Sequence, residues 1–388
     1  MPVSSIDWSG LVERQFGQGQ AAGVIRTPGR VNLIGEHIDY HHLPVLPMAL
    51  EQRVSIAYRR RSDRRISAVS AEFGLREFEW TDHLEPGPPG DWANYVKAAA
   101  ATVRRRWGVH RGIDAAVSSD LPAAAGLSSS SALLTGFVLA LLKANAIYAS
   151  FEELMEVLPE GEHFVGTRGG GMDHAAVLAS RAGCALLVNF VPLSVEPVPI
   201  PEDWAFLVAH SLTTAEKSNE LRTEYNARRL AGLRALETLG FDSYVEVIGK
   251  AMDLAARLSG LERDCFLHVT AEARRVGEAV AALRAGDAKE FGALLNASHD
   301  SLRDLLKVST PALDELVDAA RRAGAMGARL TGAGFGGCVV IFCKRSDRGR
   351  IRAELIDRYY SRRAGFNPAL HLIAAEPASG ALIASHVD

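Results

Sequence analysis

The longest apolar run of this sequence, from Ala132 to Leu142, limits what the chain can fold into. The run is too short to cross a lipid bilayer, which takes about 20 apolar residues. It therefore predicts a helix that is buried in the core of a globular protein. The first residues lack the charged region and apolar core of a signal peptide, so we expect a cytoplasmic protein with no membrane partner.

Length, composition and charge limit the class of protein further. The 388 residues are enough for two domains with a large core. Hydrophobic residues make up 48% and charged residues 23%, as in an ordinary soluble protein. The net charge of −3, with no basic tail, argues against nucleic acid as a partner. The four cysteines are scattered, which indicates reduced thiols rather than a metal site or disulfides.

Helical and strand-like segments alternate along the chain and predict an α+β protein of two domains. The alternation of polar and apolar residues from Arg53 to Tyr58 is typical of a half-buried strand. Ser150 and Glu153 have the spacing of a capping box, which predicts a helix start. The segment 192–203 contains four prolines and few helix formers, so we expect it to connect the two domains.

Polar residues are concentrated in a first segment, from Pro28 to Tyr40, directly before an apolar run. This segment contains Arg30, Glu36, His37 and Asp39. Arginine offers a rigid fork of donors, and carboxylates offer acceptors. The segment therefore predicts a pocket for a small molecule that is rich in hydroxyl groups.

A second segment, 121–132, is a loop of small residues that leads into four serines, Ser128 to Ser131, and then into the apolar run. Small side chains let an anion approach the backbone, and the free N–H groups of a helix N-terminus can bind it. Serine hydroxyls can also bind Mg²⁺. A simple serine N-cap on a core helix is the alternative. The usual P-loop pattern is missing from the sequence.

In a third segment, the glycines Gly169 to Gly171 lie shortly before Asp173. Glycines allow close backbone approach to a ligand, and a carboxylate held there can act as a general base on a hydroxyl. Glu162 could complete a magnesium site. The alternative is an ordinary glycine-rich turn with an aspartate that caps a helix.

The fourth segment, from Gly332 to Gly337, is rich in glycine and precedes the apolar stretch from Val339 to Phe342. A dinucleotide-binding fingerprint follows a strand and opens a helix, so this order excludes a Rossmann site. The segment instead predicts a flexible wall of a closed active site.

Together these four segments resemble the GHMP small-molecule kinases, and within them the galactokinases. The stretch from Gly29 to His37 is similar to the galactokinase signature, and Gly126 to Ser130 is similar to the ATP-phosphate loop. The resemblance implies a two-lobed GHMP kinase fold. Residues 1–197 would form a lobe like domain 2 of ribosomal protein S5. Residues 198–388 would form a ferredoxin-like lobe, whose last strand could return to the first lobe.

The resemblance also implies an activity, the ATP-dependent phosphorylation of galactose at the C1 hydroxyl, with Mg²⁺. In this scheme Arg30 stabilises the phosphoryl group and Asp173 accepts the proton. Glu160 is the alternative to Glu162 at the metal. The other implied ligands are Glu36, His37, Asp39, Gly170 and Tyr225 for the sugar, Ala123, Ala124, Ala125, Gly126, Leu127, Ser128 and Ser129 for ATP, and Ser130 and Glu162 for Mg²⁺.

Some positions depart from the common bacterial pattern of that family, namely Ile38, the stretch from His41 to Pro44, and His174. They leave the sugar open, so a kinase for N-acetylgalactosamine or galacturonic acid is an alternative. His174 could contact the substrate or support the Asp173 loop. A regulator that binds galactose and ATP without turnover is a further alternative, but the presence of Arg30 and Asp173 favours an enzyme.

Overall fold

The computed structural model describes residues 8–17, 21–121, 126–166, 169–213 and 219–384. Its strands are β1 (Gly23–Ile34), β2 (Leu46–Arg60), β3 (Arg65–Ser70), β4 (Gly74–Glu79), β5 (Ile113–Ser119), β6 (Cys184–Phe190), β7 (Leu193–Pro199), β8 (Trp204–His210), β9 (Gly327–Thr331), β10 (Cys338–Lys344) and β11 (Leu372–Ala375). Its α-helices are α1 (Trp8–Phe16), α2 (Ala93–Trp107), α3 (Ser129–Ala144), α4 (Phe151–Phe164), α5 (Met172–Ala179), α6 (Asn219–Leu239), α7 (Ala251–Ala255), α8 (Gly260–Ala285), α9 (Ala288–Asp304), α10 (Pro311–Arg322), α11 (Arg348–Leu355), α12 (Pro368–His371) and α13 (Ala381–Ala384).

The first sheet has the strand order β1-β2-β5-β3-β4, and only the pair β3 and β5 is parallel. Helix α3 contains the apolar run and packs on β1 and β2, so the prediction of a buried helix is confirmed. Close packing depends on Gly136, since a Cβ there would lie 2.8 Å from Cδ1 of Ile56. The Thr27 hydroxyl of β1 donates a hydrogen bond to the carbonyl of Ala132 (2.8 Å) and ties strand to helix.

The second sheet is antiparallel throughout, with the order β11-β8-β10-β9. Strands β8, β9 and β10 are almost entirely buried, because helices cover the sheet. The rings of Trp204, Phe206, Phe291 and Phe342 pack against one another in its core. Numbered along the chain, its four strands have the order 4-1-3-2, which is the order of a ferredoxin-like sheet.

The proline-rich segment 192–203 is not simply a connection. Strand β7 occupies most of it and pairs with β6 in a two-stranded sheet. Prolines are tolerated there because β7 is an edge strand, where a missing N–H costs no ladder hydrogen bond. A bridge between Val45 and Val188 joins this hairpin to β2. We call residues 21–199 the first lobe and residues 204–375 the second lobe.

The C-terminal segment returns to the first lobe. Strand β11 itself pairs with β8 in the second sheet, so the returning part is the segment after the last strand. The Ala378 N–H donates to the Ala49 carbonyl (3.0 Å), and the Gly380 N–H donates to the Ser180 carbonyl (2.8 Å). Helix α13 then packs against α5.

Local signals in the sequence are confirmed where the structure describes them. The Ser150 hydroxyl accepts from the Glu153 N–H, and the Glu153 carboxylate accepts from the Ser150 N–H, which completes the capping box. All four cysteines are free thiols, and Cys184 alone is half-buried rather than buried. Within the described ranges, no helix combines the length and apolar character needed to cross a membrane.

Candidate active site

The four segments singled out in the sequence analysis all contribute residues to one cavity between the two lobes. The cavity is walled by the end of β1, the start of α3, the glycine turn before α5, helix α6 and the glycine loop after β9. The segments thus converge although they are up to about 300 residues apart in the chain. The lining residues include Arg30, Glu36, His37, Asp39, Gly126, Ser128, Ser129, Ser130, Ser131, Glu162, Gly170, Asp173, Tyr225 and the loop from Thr331 to Gly337.

An arginine–aspartate pair lies at the bottom of this cavity. Nε of Arg30, on β1, is 2.7 Å from Oδ1 of Asp173, at the start of α5. Nη1 of Arg30 donates to the Gly126 carbonyl (2.8 Å), and its backbone N–H donates to the Leu127 carbonyl (3.1 Å). Because its side chain is 6% exposed, the guanidinium is almost fully removed from water. The pair therefore joins the strand, the small-residue loop and the glycine turn.

The second oxygen of Asp173 accepts hydrogen bonds from the Ser128 hydroxyl and, at 3.3 Å, from the Ser131 hydroxyl. Ser128 occupies the N-cap position of α3 in a left-handed conformation (φ 56°), but its side chain makes no capping bond. The alternative of a simple serine N-cap is therefore wrong. Burial opposes the charge on Asp173, yet Arg30 and the Ser128 hydroxyl hold its pKa below the ordinary value. Asp173 is thus a carboxylate at neutral pH.

The turn after β1 presents His37 to the cavity. His37 adopts a left-handed conformation (φ 62°). Its Nε2 is 3.1 Å from the Ala333 carbonyl, which can only accept, so Nε2 carries the proton and Nδ1 accepts from the Tyr40 hydroxyl (2.9 Å). Burial lowers the pKa of His37 to about 3 and keeps the ring neutral. The rings of Tyr40 and Tyr225 pack beside it.

Asp39 connects this turn with the glycines before α5. Its Oδ2 accepts the Gly170 N–H at 3.1 Å. Burial and then the nearby charge of Asp173 raise its pKa to about 6. Two carboxylates thus share the cavity with opposite pKa shifts, because Arg30 pairs directly with only one of them.

Glu36 is the most enclosed carboxylate of the cavity, with a side chain that is 2% exposed. Its oxygens accept hydrogen bonds from the Asn32 amide, the Gly332 N–H and the Thr331 hydroxyl. Nη2 of Arg329 lies 3.3 Å from its Oε2. Burial raises the pKa of Glu36, whereas Arg329 and Arg30 act against that rise. The position of this carboxylate is therefore set by both lobes.

Oxygen atoms also converge on the other side of Asp173. The Glu162 carboxylate, on α4, accepts a hydrogen bond from the Ser131 hydroxyl. Nε2 of His174 lies 3.5 Å from Oε1 of the same carboxylate, and its Nδ1 lies 3.3 Å from the Thr135 hydroxyl. His174 is buried and lines the cavity, and its contacts to Glu162 and Thr135 join α5 to α4 and α3. Glu160 instead forms an exposed ion pair with Arg105.

Comparison with known proteins identifies the family. Three family models match: GHMP kinases N terminal domain over residues 94–181, GHMP kinases C terminal over residues 279–361, and the galactokinase galactose-binding signature over residues 13–60. The galactokinase of Roseiflexus sp. (strain RS-1) is 36% identical over 349 residues, which cover 87% of this chain and 87% of that one. This chain belongs to the galactokinase family.

Other galactokinases are similar to this chain in sequence and structure over nearly its whole length. The galactokinase of Actinobacillus pleuropneumoniae is 31% identical over 366 residues, covering 92% of this chain and 94% of that protein. The crystal structure of Lactococcus lactis galactokinase complexed with galactose superposes with a TM-score of 0.85 at 27% identity, covering 96% of this chain and 97% of that one. A mevalonate kinase structure shares the fold with a TM-score of 0.65 at 19% identity. The expected two-lobed GHMP kinase fold is thus confirmed.

Most residues that the galactokinase resemblance implied lie together, and three cannot be described. Ala123, Ala124 and Ala125 lie outside the described residues. Leu127 is buried and contributes its carbonyl to the Arg30 N–H rather than a side chain to the cavity. The remaining residues of the set line the cavity, Ser130 included.

Two further residues of the cavity had no assigned role. Ser131 contacts both Glu162 and Asp173, although Ser130 was the serine expected at the metal. The run of four serines indicates that hydroxyls are needed but not which one faces a carboxylate. Tyr95 on α2 also lines the cavity, and nothing in the surrounding helical pattern distinguishes it from a core residue.

Replacement of Gly170 by alanine is expected to abolish tight sugar binding. A Cβ at this position would lie 2.2 Å from the Asp39 carbonyl carbon and 2.3 Å from the Tyr40 nitrogen, and backbone cannot yield as a side chain can. Gly169→Ala is the matched control, because its nearest contact is a Glu162 oxygen at 3.4 Å. We expect the KM for galactose to rise at least about tenfold in the first variant only. Equal KM values for galactose in the two variants would contradict the role of Gly170 in shaping the sugar site.

Proposed function

We propose that this chain catalyses the ATP-dependent phosphorylation of galactose at the anomeric C1 hydroxyl, giving galactose 1-phosphate and ADP. The observation that carries the proposal is the Arg30–Asp173 pair at 2.7 Å, which joins the loop before α3 to the glycine turn before α5. Phosphoryl transfer needs a cation beside the transferred group and an acceptor beside the attacking hydroxyl. This pair supplies both within one cavity.

The sugar would lie against the turn that follows β1. Asp39 offers a carboxylate oxygen. The hydrogen bond that it accepts from the Gly170 N–H (3.1 Å) holds the residues after β1 against the glycine turn before α5. Glu36 and neutral His37 line the same side, and the Tyr225 ring lies beside His37 with ring centroids 5.2 Å apart. Ring faces and fixed acceptors are the usual complement of a sugar, which has apolar faces and many hydroxyl groups.

Asp173 would hold the C1 hydroxyl and accept its proton. Its low pKa makes it a weak base, so we expect it to take the proton only once bonding to phosphorus has made the hydroxyl acidic. Bonds to Arg30 and Ser128 fix the carboxylate, which limits the reorganisation needed at the moment of transfer. Arg30 in turn would stabilise the charge on the equatorial phosphoryl oxygens.

The phosphate loop would bind ATP through backbone donors. Helix α3 begins at Ser129, and a helix N-terminus presents backbone N–H donors. Those donors and the helix dipole favour the negative phosphates. Gly126, Ser128 and Ser129 line the cavity at this point, which supports a phosphate position beside Arg30.

The donor set on the opposite wall suits Mg²⁺. Among the described residues, no group of three or more His, Cys, Asp and Glu side chains is arranged so that it could hold a metal ion. The buried Glu162 carboxylate and the hydroxyls of Ser130 and Ser131 are hard oxygen donors. Mg²⁺ is commonly held by one or two carboxylates together with substrate phosphates. Bound there, it would neutralise phosphate charge, with Glu162 as its protein carboxylate.

The test of this function is a panel of sugars with ATP, assayed by ADP release. Galactose, N-acetylgalactosamine, galacturonic acid and glucose are compared at equal concentration, and the product is located by NMR. We expect galactose to have the highest kcat/KM and the phosphate to be at C1. If another hexose is preferred, galactose is rejected as the substrate but the assignment as a sugar kinase is retained. ATP binding without turnover of any sugar would favour the regulator instead.

The kcat/KM for galactose is expected to fall as the pH decreases through about 6. Because the pKa of Asp39 is raised to about 6, its carboxyl group takes up a proton near that pH and loses one of the acceptor oxygens that it offers to sugar hydroxyls. His37 stays neutral throughout, since its pKa is about 3. In Asp39→Asn this step should vanish from the pH profile of kcat/KM. A step that persists in the variant would assign the titration to another group, such as Glu36.

A further inference from the structure

The sugar turn, which we define as residues 32–37 at the end of β1, is held largely by the second lobe. Its backbone and side-chain polar groups bond to residues of α8, β9 and the loop after β9. These partners are Thr331 to the N–H and carbonyl of Asn32, Glu272 to the Gly35 N–H (2.9 Å), His268 to the Glu36 carbonyl (3.0 Å), and the Ala333 carbonyl to His37 (3.1 Å). The turn therefore depends on a lobe to which it does not belong.

Arg329 is a further second-lobe partner of the turn and contacts the Glu36 side chain. It lies on β9 and is fully buried. Nη1 donates to the carbonyls of Asn32 (3.1 Å) and Leu33 (2.9 Å), while Nη2 lies 3.3 Å from Oε2 of Glu36. A buried arginine is rare unless it is paired, and here Glu36 is the paired carboxylate.

We propose that Arg329 is a positioning residue for galactose, which acts from the second lobe by fixing the carboxylate of Glu36 in the sugar turn. The inference rests on the proposed function, because it concerns how that sugar site is held. Arg329 itself is absent from the residues that line the cavity, so its effect on the sugar must pass through another group.

The charges around Glu36 explain why a cation is needed at this position. Arg30 approaches it from β1 and Arg329 from β9, while Asp39 adds a negative charge from the residues that follow the turn. From α8, neutral His268 contacts only the backbone of Glu36. Without Arg329, burial would favour the protonated form of Glu36, which loses one of its acceptor oxygens. The carboxylate would also lose the positive charge that lies 3.3 Å from its Oε2.

The test compares Arg329→Gln with Arg321→Gln. Arg321 belongs to the same lobe and bonds through Nε to Oδ1 of Asn296 (2.8 Å), but it does not line the cavity. We expect Arg329→Gln to raise the KM and the calorimetric Kd for galactose about 10- to 100-fold, because a buried acceptor loses its charged partner. Its kcat and the KM for ATP should change less than about threefold. Arg321→Gln should lower the melting temperature without changing galactose affinity.

Two further variants separate positioning from general stabilisation. Arg329→Lys keeps the charge but cannot bond the Asn32 and Leu33 carbonyls and approach Glu36 in the fixed geometry of a guanidinium. We therefore expect a KM between those of wild type and Arg329→Gln. If Arg329 acts through Glu36, its replacement should have little additional effect in a Glu36→Gln background. Multiplicative effects in the double variant, equal galactose affinities in Arg329→Gln and Arg321→Gln, or a loss confined to kcat would overturn the inference. Should Arg329→Gln fail to fold, the same cycle is run with Arg329→Lys.

Failure of this inference differs from failure of the proposed function. If wild-type protein does not bind or phosphorylate galactose, the function is wrong and Arg329 has no galactose site to position. If wild type is active and the Arg329 variants bind galactose as wild type does, the function stands and only the role of Arg329 is rejected.

Discussion

Asp173→Asn is expected to lower the kcat for galactose at least about 100-fold, since the amide cannot accept the proton of the sugar hydroxyl. Asparagine keeps the shape of the side chain, so the cavity should remain formed. The sugar contact expected from Asp39 lies on a separate segment and should persist. We therefore expect the KM for galactose and the Kd for ATP to stay within about threefold of wild type. Steady-state kinetics and calorimetry measure both quantities.

The matched control for this variant is Asp114→Asn. Asp114 is buried on β5 and bonds to Arg59 and Arg61, each at 2.7 Å, but it does not line the cavity. It therefore reports the cost of neutralising a buried aspartate that has arginine partners. We expect it to lower the melting temperature and leave kcat nearly unchanged. Near-normal turnover in Asp173→Asn would remove Asp173 from the catalytic role.

Arg30→Met is expected to have the larger effect, a decrease in kcat of about 10³-fold, which is the scale for loss of an arginine beside a transferred phosphoryl group. The substitution removes the cation, the bond to the Gly126 carbonyl and the partner of Asp173. The pKa of Asp173 should rise, because burial then acts without the opposing charge of Arg30. An acid limb in the pH profile of kcat is thus expected to move to higher pH.

Arg30→Lys and Arg59→Met serve as controls for this prediction. Lysine retains the charge but cannot bond Asp173 and Gly126 in the fixed geometry of a guanidinium, so we expect partial recovery of kcat relative to Arg30→Met. Arg59→Met disrupts an arginine–aspartate pair on the neighbouring strand, outside the cavity. A loss of kcat in Arg59→Met as large as that in Arg30→Met would mean that the effect reflects stability rather than charge.

The sequence predicted elements well wherever the local pattern reflected burial. The apolar run of α3 is confirmed, because hydrophobic periodicity records which side chains face the core. The segment from Arg53 to Tyr58 is a strand as predicted, but Val54 to Tyr58 are all buried, so it is not the half-buried strand that the alternation indicated. The secondary structure of the segment 192–203 was harder to predict. Its prolines indicated an irregular connection, yet β7 forms there because an edge strand needs only one partner.

The candidate site was predicted through local motifs, and its internal contacts were not. The serine run could not indicate that Ser128 would bond Asp173, or that Ser131 would contact Glu162, because these distances depend on how α3, α4 and α5 pack. Glu160 and Glu162 are close in sequence, but the helical rotation between them directs one to Arg105 and the other to the cavity.

By itself, the sequence determined the family, the two-lobed α+β fold and the chemical groups available for phosphoryl transfer, since these depend on residue types in short segments. Only the tertiary structure decided which of these groups are charged and what holds them. Asp173 and Asp39 are the same residue type in one cavity, yet contact with Arg30 lowers one pKa while burial raises the other to about 6. Arg329 meets Glu36 across almost 300 positions, a pairing that exists only because the second lobe folds against the turn after β1.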